Sequence, residues 1–219
     1  MSRGSRSIAR TSRTPEVPDA TVRAIEAHLS EREARRERIH ADARTLRRGA
    51  QAVMIGLHDG RPTEQDAQRL GRRLRTLARL TRAAGGSETG LARDAIQEAV
   101  EALLLRAIVR GETLPSFADL GVEPEPYLLG LGDVVGEVRR RALLQLAADD
   151  LAAAEASVRL MEHLYQTLMR FDTTRAIVPL KPKQDTARSL LERTRGEVVL
   201  ARVHARYREL PPLHDAGEP

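Results

Sequence analysis

The chain has 219 residues, 31% of them charged, a net charge of +5 and no cysteine. At that length a core can be buried without staples, and the missing cysteine excludes a disulfide framework and a thiolate zinc site. No apolar run approaches the ~20 residues of a membrane span and the opening MSRGSRSIAR lacks the apolar centre of a signal peptide, so a soluble cytoplasmic protein with no membrane partner is expected.

Nearly all the positive charge is arginine, the only lysines being Lys181 and Lys183, and aromatic residues make up 2% of the chain. A nucleic acid bound here would be held mainly through its phosphates, with little base stacking. For most of these arginines a solvated helix face is the plainer reading.

Residues 1–14 carry Arg3, Arg6, Arg10 and Arg13 among serine, threonine and glycine and read as a disordered basic arm. Pro15 and Pro18 close it, and a long helix is predicted from about Asp19. Its second half places Ile39, Ala43, Leu46, Ala50, Val53 and Leu57 at alternating steps of three and four, a bundle seam, until Gly60 and Pro62 stop it. Thr63 is placed to cap a second helix that turns Leu70, Leu74 and Leu77 inward and Arg69, Arg72, Arg73 and Arg75 outward, ending at Gly85-Gly86. Ser87 is placed to cap a third, whose Ile96, Val100, Leu103 and Ala107 form a core stripe while Ala99, Ala102, Leu104 and Leu105 make most of the remaining surface apolar, so it should be central.

Beyond Gly111, a short turn or helix at Ser116–Leu120 leads to YLLGLGDVVGEVRRR, residues 127–141. Asp149 and Asp150 break that helix and start another, through Met161, Leu164 and Leu168 to about Phe171. DTTRAIVPLKPKQD reads as a linker, with a last helix from near Asp185 to about Leu210 and a disordered tail at 211–219. No segment alternates as a strand, and there is no internal repeat or Gly-rich phosphate loop. The expectation is all-α: one helical domain over 15–210, with six to seven helices.

The stretch at 127–141, read as a helix, sets Asp133 and Glu137 on one face with Arg140 a turn further on, opposite an apolar stripe of Leu131, Val135, Val138 and Ala142. Gly130, Gly132 and Gly136 flank the acids; each costs a helix roughly 1 kcal/mol relative to alanine, so something should approach the backbone there, a partner helix or a ligand. Glu98 and Glu101 share a face of the third helix. Four carboxylates on two helices could hold Mg²⁺ or Mn²⁺ and act on a phosphodiester, with Arg140 on the phosphate. From spacing alone, pairing of these acids with arginines of neighbouring helices is the more economical reading. The Glu37–His40 pair lacks the second Glu-x-x-His that a di-iron bundle needs and reads as a solvated face.

The residues say more than their spacing. YLLGLGDVVGEVRRR closely resembles the signature helix of translin-associated factor X, the catalytic branch of the translin family, and QEAVEA at 97–102 resembles that factor's other acidic motif. GAQAVMIGLH and KQDTARSLLERTRGEVVLA are similar to the family more loosely, and the resemblance spans about residues 20–205. It implies an all-α fold, a hollow homo-octamer, and a Mg²⁺-dependent endoribonuclease acting on single-stranded RNA, with single-stranded DNA a second candidate. By position Glu98, Glu101, Asp133 and Glu137 match the catalytic, metal-binding carboxylates, and Arg140 matches an arginine of both branches; Arg139 and Arg141 are taken with it as nucleic-acid contacts. A non-catalytic RNA- or DNA-binding scaffold of the translin type is the alternative, and a structural helix bundle without ligand a third reading. Where the family motif carries a tyrosine this chain has Ala99, which removes a stacking ring but no metal donor; the basic insert and tail segments of some relatives are absent.

Overall fold

The structure, a computed structural model, describes residues 16–84, 88–172, 174 and 176–209. The basic arm at 1–14, the tail at 211–219, the Gly85-Gly86 stop and the Ser87 cap lie outside the described residues.

Seven helices follow one another: α1 (Asp19–His58), α2 (Glu64–Ala84), α3 (Glu88–Arg110), α4 (Phe117–Leu120), α5 (Pro124–Ala147), α6 (Leu151–Met169) and α7 (Lys181–Glu209). No strand occurs among the described residues, as the lack of alternation predicts. The chain divides into two compact units at Arg38/Ile39. The described residues of the first, 16–38, are exposed throughout.

In the second unit the predicted seam is the buried stripe of α1, from Ile39 through Leu46 to Val53. Helix α3 is central, as its composition predicts: it packs against α2 and α5, and Ala99, Val100, Ala102 and Leu104 are wholly enclosed. Helix α5 in turn packs on α6 and α7. Short polar signals set the boundaries. Ser116 caps α4 reciprocally with Asp119, and Asp150 accepts from the Ala153 amide to cap α6.

One boundary differs from the sequence reading. Helix α7 starts at Lys181, inside the segment read as linker, four residues before Asp185. Pro182 sits in its first turn, where a missing N–H costs nothing, and the Gln184 amide donates to the Leu180 carbonyl at 3.0 Å. Lys183 is therefore a helical residue with a fixed direction.

The glycines of α5 are places of close approach by neighbouring helices. A Cβ on Gly130 would lie 2.9 Å from Val100 Cγ1 and 3.0 Å from the Gln97 carbonyl of α3. One on Gly132 would lie 2.8 Å from Lys183 Cβ of α7. Gly136 leaves room for a Cβ, its nearest neighbour being Leu190 Cδ1 of α7 at 3.9 Å, an ordinary van der Waals contact. Two bare positions thus bring α3 and α7 against the acidic helix from either side.

Candidate functional site

Helix α3 presents Glu98 and Glu101, and α5 presents Asp133 and Glu137. The structure brings the two pairs together around Glu101. This carboxyl is pushed up to about 7, first by burial and then by the charges of Asp133 and Glu137, with Glu98 adding to them and Lys183 opposing. Glu101 makes no ion pair among the described residues.

The other three acids each face a cation or a histidine from another helix. Arg47 of α1 lies with Nε 3.0 Å from Glu98 Oε1, both side chains partly exposed. Asp133 accepts from Lys183 Nζ at Oδ1 and from Gln97 Nε2 at Oδ2, the latter at 2.5 Å. His58, at the end of α1, lies with Nε2 2.9 Å from Glu137 Oε2. That oxygen is buried and has no hydrogen bond besides this close contact. A buried carboxylate oxygen needs a donor, and a His58 imidazole with its proton on Nε2 supplies one at this distance.

Among the described residues no three acidic or histidine side chains converge at metal-ligand spacing. In this conformation the acids are turned toward Arg47, Lys183 and His58 instead. The pairing expected from spacing alone is therefore present for three of the four, although only one partner is an arginine. Lys183, His58 and Gln97 are site residues that sequence reasoning missed. Lys183 had a signal, being one of two lysines in an arginine-rich chain, but it lay in the presumed linker.

The three consecutive arginines of α5 have separate fates. Arg139 is spent in a bidentate pair with Glu197 (2.8 and 2.9 Å) and donates to Thr194 Oγ1 at 2.6 Å, bolting α5 to α7. Arg140 is exposed. Arg141 lines a cavity beside Glu137. Ala99 is fully enclosed, so the side chain at this position faces the core and not a substrate.

No described helix is long and apolar enough to cross a membrane. No protein-family model matches the chain. An uncharacterized protein of Methanocaldococcus jannaschii is 33% identical over 184 residues, which cover 83% of each chain. Among solved structures, archaeal AfC3PO superposes with a TM-score of 0.77 at 31% identity, both in a complex with duplex RNA and alone, over 84% of this chain and 97% and 98% of the other. Apo-NeC3PO, from Nematostella, superposes with the same TM-score of 0.77 at 18% identity over 86% of this chain and 100% of its own, a likeness of fold. C3PO is the translin/Trax complex.

Proposed function

The chain belongs to the translin family, and from that premise we propose that it is a divalent-cation-dependent endoribonuclease of the Trax-like branch, working inside a homo-oligomer. The observation that carries this reading is the cluster around Glu101: four acids from two helices, with the half-buried Glu101 among them making no ion pair of its own among the described residues. All the donors are hard carboxylate oxygens, the set that Mg²⁺ or Mn²⁺ takes. Glu98, Glu101, Asp133 and Glu137 would hold the ion once Arg47, Lys183 and His58 turn aside.

Such an ion lowers the pKa of a bound water and offsets charge on a phosphodiester. The chain's own groups supply the rest. Without the ion, burial and the neighbouring acids favour the protonated form of Glu101, and an ion held there would replace that proton. Lys183, set free from Asp133, carries its ammonium beside the cluster, where a phosphate would lie. Arg140 is exposed and open to the strand; Arg139 is committed to Glu197.

RNA is the proposed substrate because AfC3PO, at 31% identity, was solved with duplex RNA bound. We propose single-stranded RNA as the form that is cut, with single-stranded DNA to be tested beside it. Self-association is supported by an exposed apolar stripe near the end of α7, Val199, Leu200, Val203 and Tyr207, and a homo-octamer is the assembly proposed. A stable monomer by light scattering would overturn it.

A second reading has its own observation. Three of the four acids are already paired, as expected of a scaffold that binds RNA without cutting it. Cleavage of single-stranded RNA by the purified protein in Mg²⁺, Mn²⁺ and EDTA separates the two. The nuclease reading expects cleavage only with the ion and none from Asp133→Ala or Glu137→Ala, both still binding RNA. Retained RNA binding without cleavage under any condition would establish the scaffold.

A further inference from the structure

A cavity of about 340 Å³ opens beside the acidic cluster, between the end of α1, the C-terminal part of α3 and the second half of α5. Leu57, Leu105, Val109 and Leu144 give it apolar walls. Glu137 and His58, which belong to the acidic cluster, form one side, so the cavity and the cluster are continuous. Its size falls within the roughly 300–1,000 Å³ of small-ligand sites, and its make-up, apolar walls with a few polar groups, is theirs too.

The polar groups are held in place. With its amide oriented to satisfy its surroundings, Gln145 donates to the Ala153 carbonyl at 3.1 Å and to Ser157 Oγ at 2.7 Å, and accepts from Arg141 Nε at 3.3 Å. This fixes the Arg141 guanidinium at the cavity while its terminal N–H groups make no ion pair among the described residues. Asp150, tied by one oxygen to the Ala153 amide at 3.0 Å, adds an acceptor to the cavity lining.

We propose that this cavity is a nucleobase subsite: it takes one unstacked base of the RNA strand. The inference rests on the reading of the chain as an RNA-binding protein. Apolar walls together with an arginine donor and a carboxylate acceptor suit the faces and edge of a base. It also supplies what the composition lacks, since the chain has no tryptophan and the motif position that carries a ring in relatives is the enclosed Ala99. The site contacts a base through aliphatic walls and the Arg141 plane, and it requires a strand whose bases can leave the stack, hence single-stranded RNA and not duplex.

Leu144→Trp is the test, because Leu144 is 55% exposed and the larger ring can fill the cavity without disturbing the core. Binding of a short single-stranded RNA is measured in EDTA, with an abasic nucleotide placed at each position in turn. The wild-type protein should lose affinity roughly tenfold at one position, the loss expected from one base contact. Leu144→Trp should bind the intact strand about tenfold more weakly and be indifferent to the abasic position, while duplex RNA should bind both proteins alike. A flat abasic profile in the wild type, or an unchanged profile in Leu144→Trp, overturns the subsite. The outcome is separable from that of the nuclease reading. A single sensitive position without any cleavage in Mg²⁺ leaves the subsite standing and removes the nuclease. Cleavage with a flat profile does the reverse.

Discussion

Lys183→Met isolates the competition between a tethered ammonium and a free ion. Methionine keeps the stem, which packs over Gly132 with Cβ, Cγ and Cδ at 2.8, 3.3 and 3.6 Å from where a glycine Cβ would stand, so packing is little changed. What is lost is the ammonium that faces Asp133. The two side chains are 30% and 26% exposed, between the surface and the interior. Breaking a buried pair costs about 3–5 kcal/mol and a surface pair about 0–1, so about 2 kcal/mol is expected in EDTA at pH 8. For a chain of this size that lowers Tm by roughly 4–8 °C. Lys183 is also the one group that lowers the Glu101 pKa, so without it the cluster becomes still less tolerant of charge. Millimolar Mn²⁺ should then stabilise Lys183→Met by more degrees than wild type, because no ammonium has to be displaced from Asp133. Thermal melts of the two proteins in EDTA and in Mn²⁺ read this directly. If Mn²⁺ shifts both proteins equally, or shifts neither, the ion does not bind at Asp133 and the assignment of the four acids falls with it.

Three further outcomes follow from single distances. Gly130→Ala drives a methyl to within about 3 Å of the α3 backbone and should destabilise by about 1–2 kcal/mol, whereas Gly136→Ala, with nothing nearer than 3.9 Å, should gain up to about 1 kcal/mol from helix propensity; urea melts that give both the same sign would refute the close approach. In EDTA the folded Glu101 has its pKa near 7 against 4.5 unfolded, so the fold binds the extra proton between those values and loses stability as pH rises through them. The full shift corresponds to roughly 3 kcal/mol, which screening at a partly exposed site reduces to about 1–2 kcal/mol, and Glu101→Gln should flatten the decline measured by urea melts from pH 4.5 to 8. Arg139→Ala should cost about 1–3 kcal/mol through the lost Glu197 and Thr194 bonds and leave RNA affinity in filter binding unchanged; a large affinity loss in a stable variant would restore Arg139 as a nucleic-acid contact.

The helices were legible because each carries its own signal in adjacent residues. Period, cap and glycine stop are local, so α1 to α6 fall close to where the pattern puts them. Helix α7 was cut short for a local reason too: Pro179 and Pro182 look like linker chemistry, yet a proline in the first turn starts a helix as well as it ends one. The glycines of α5 also told the truth in part. They announced a close approach, and two of the three are met by helices, but nothing local could say that Gly130 answers to α3, Gly132 to α7 and Gly136 to no tight contact.

What the sequence could not show is which charges meet. The partner of Asp133 lies 50 residues further along the chain, and that of Arg139 lies 58. Such pairings are set by the angle at which α7 crosses α5, a property of packing and not of any segment. The consequence for function is that acidic motif and cationic partner have to be read as one unit. The four acids alone describe a site that should repel itself; with Arg47, Lys183 and His58 turned onto three of them, the same acids can rest in a folded protein without an ion. Only Glu101 has no such partner among the described residues, and burial beside the other acids favours its protonated form. Under the nuclease reading such a site folds before its ion arrives and then admits it, because the substitutes are side chains on rotatable stems that would give way at a modest cost in free energy. A cluster sealed by buried arginines on both pairs would have been stable and inert.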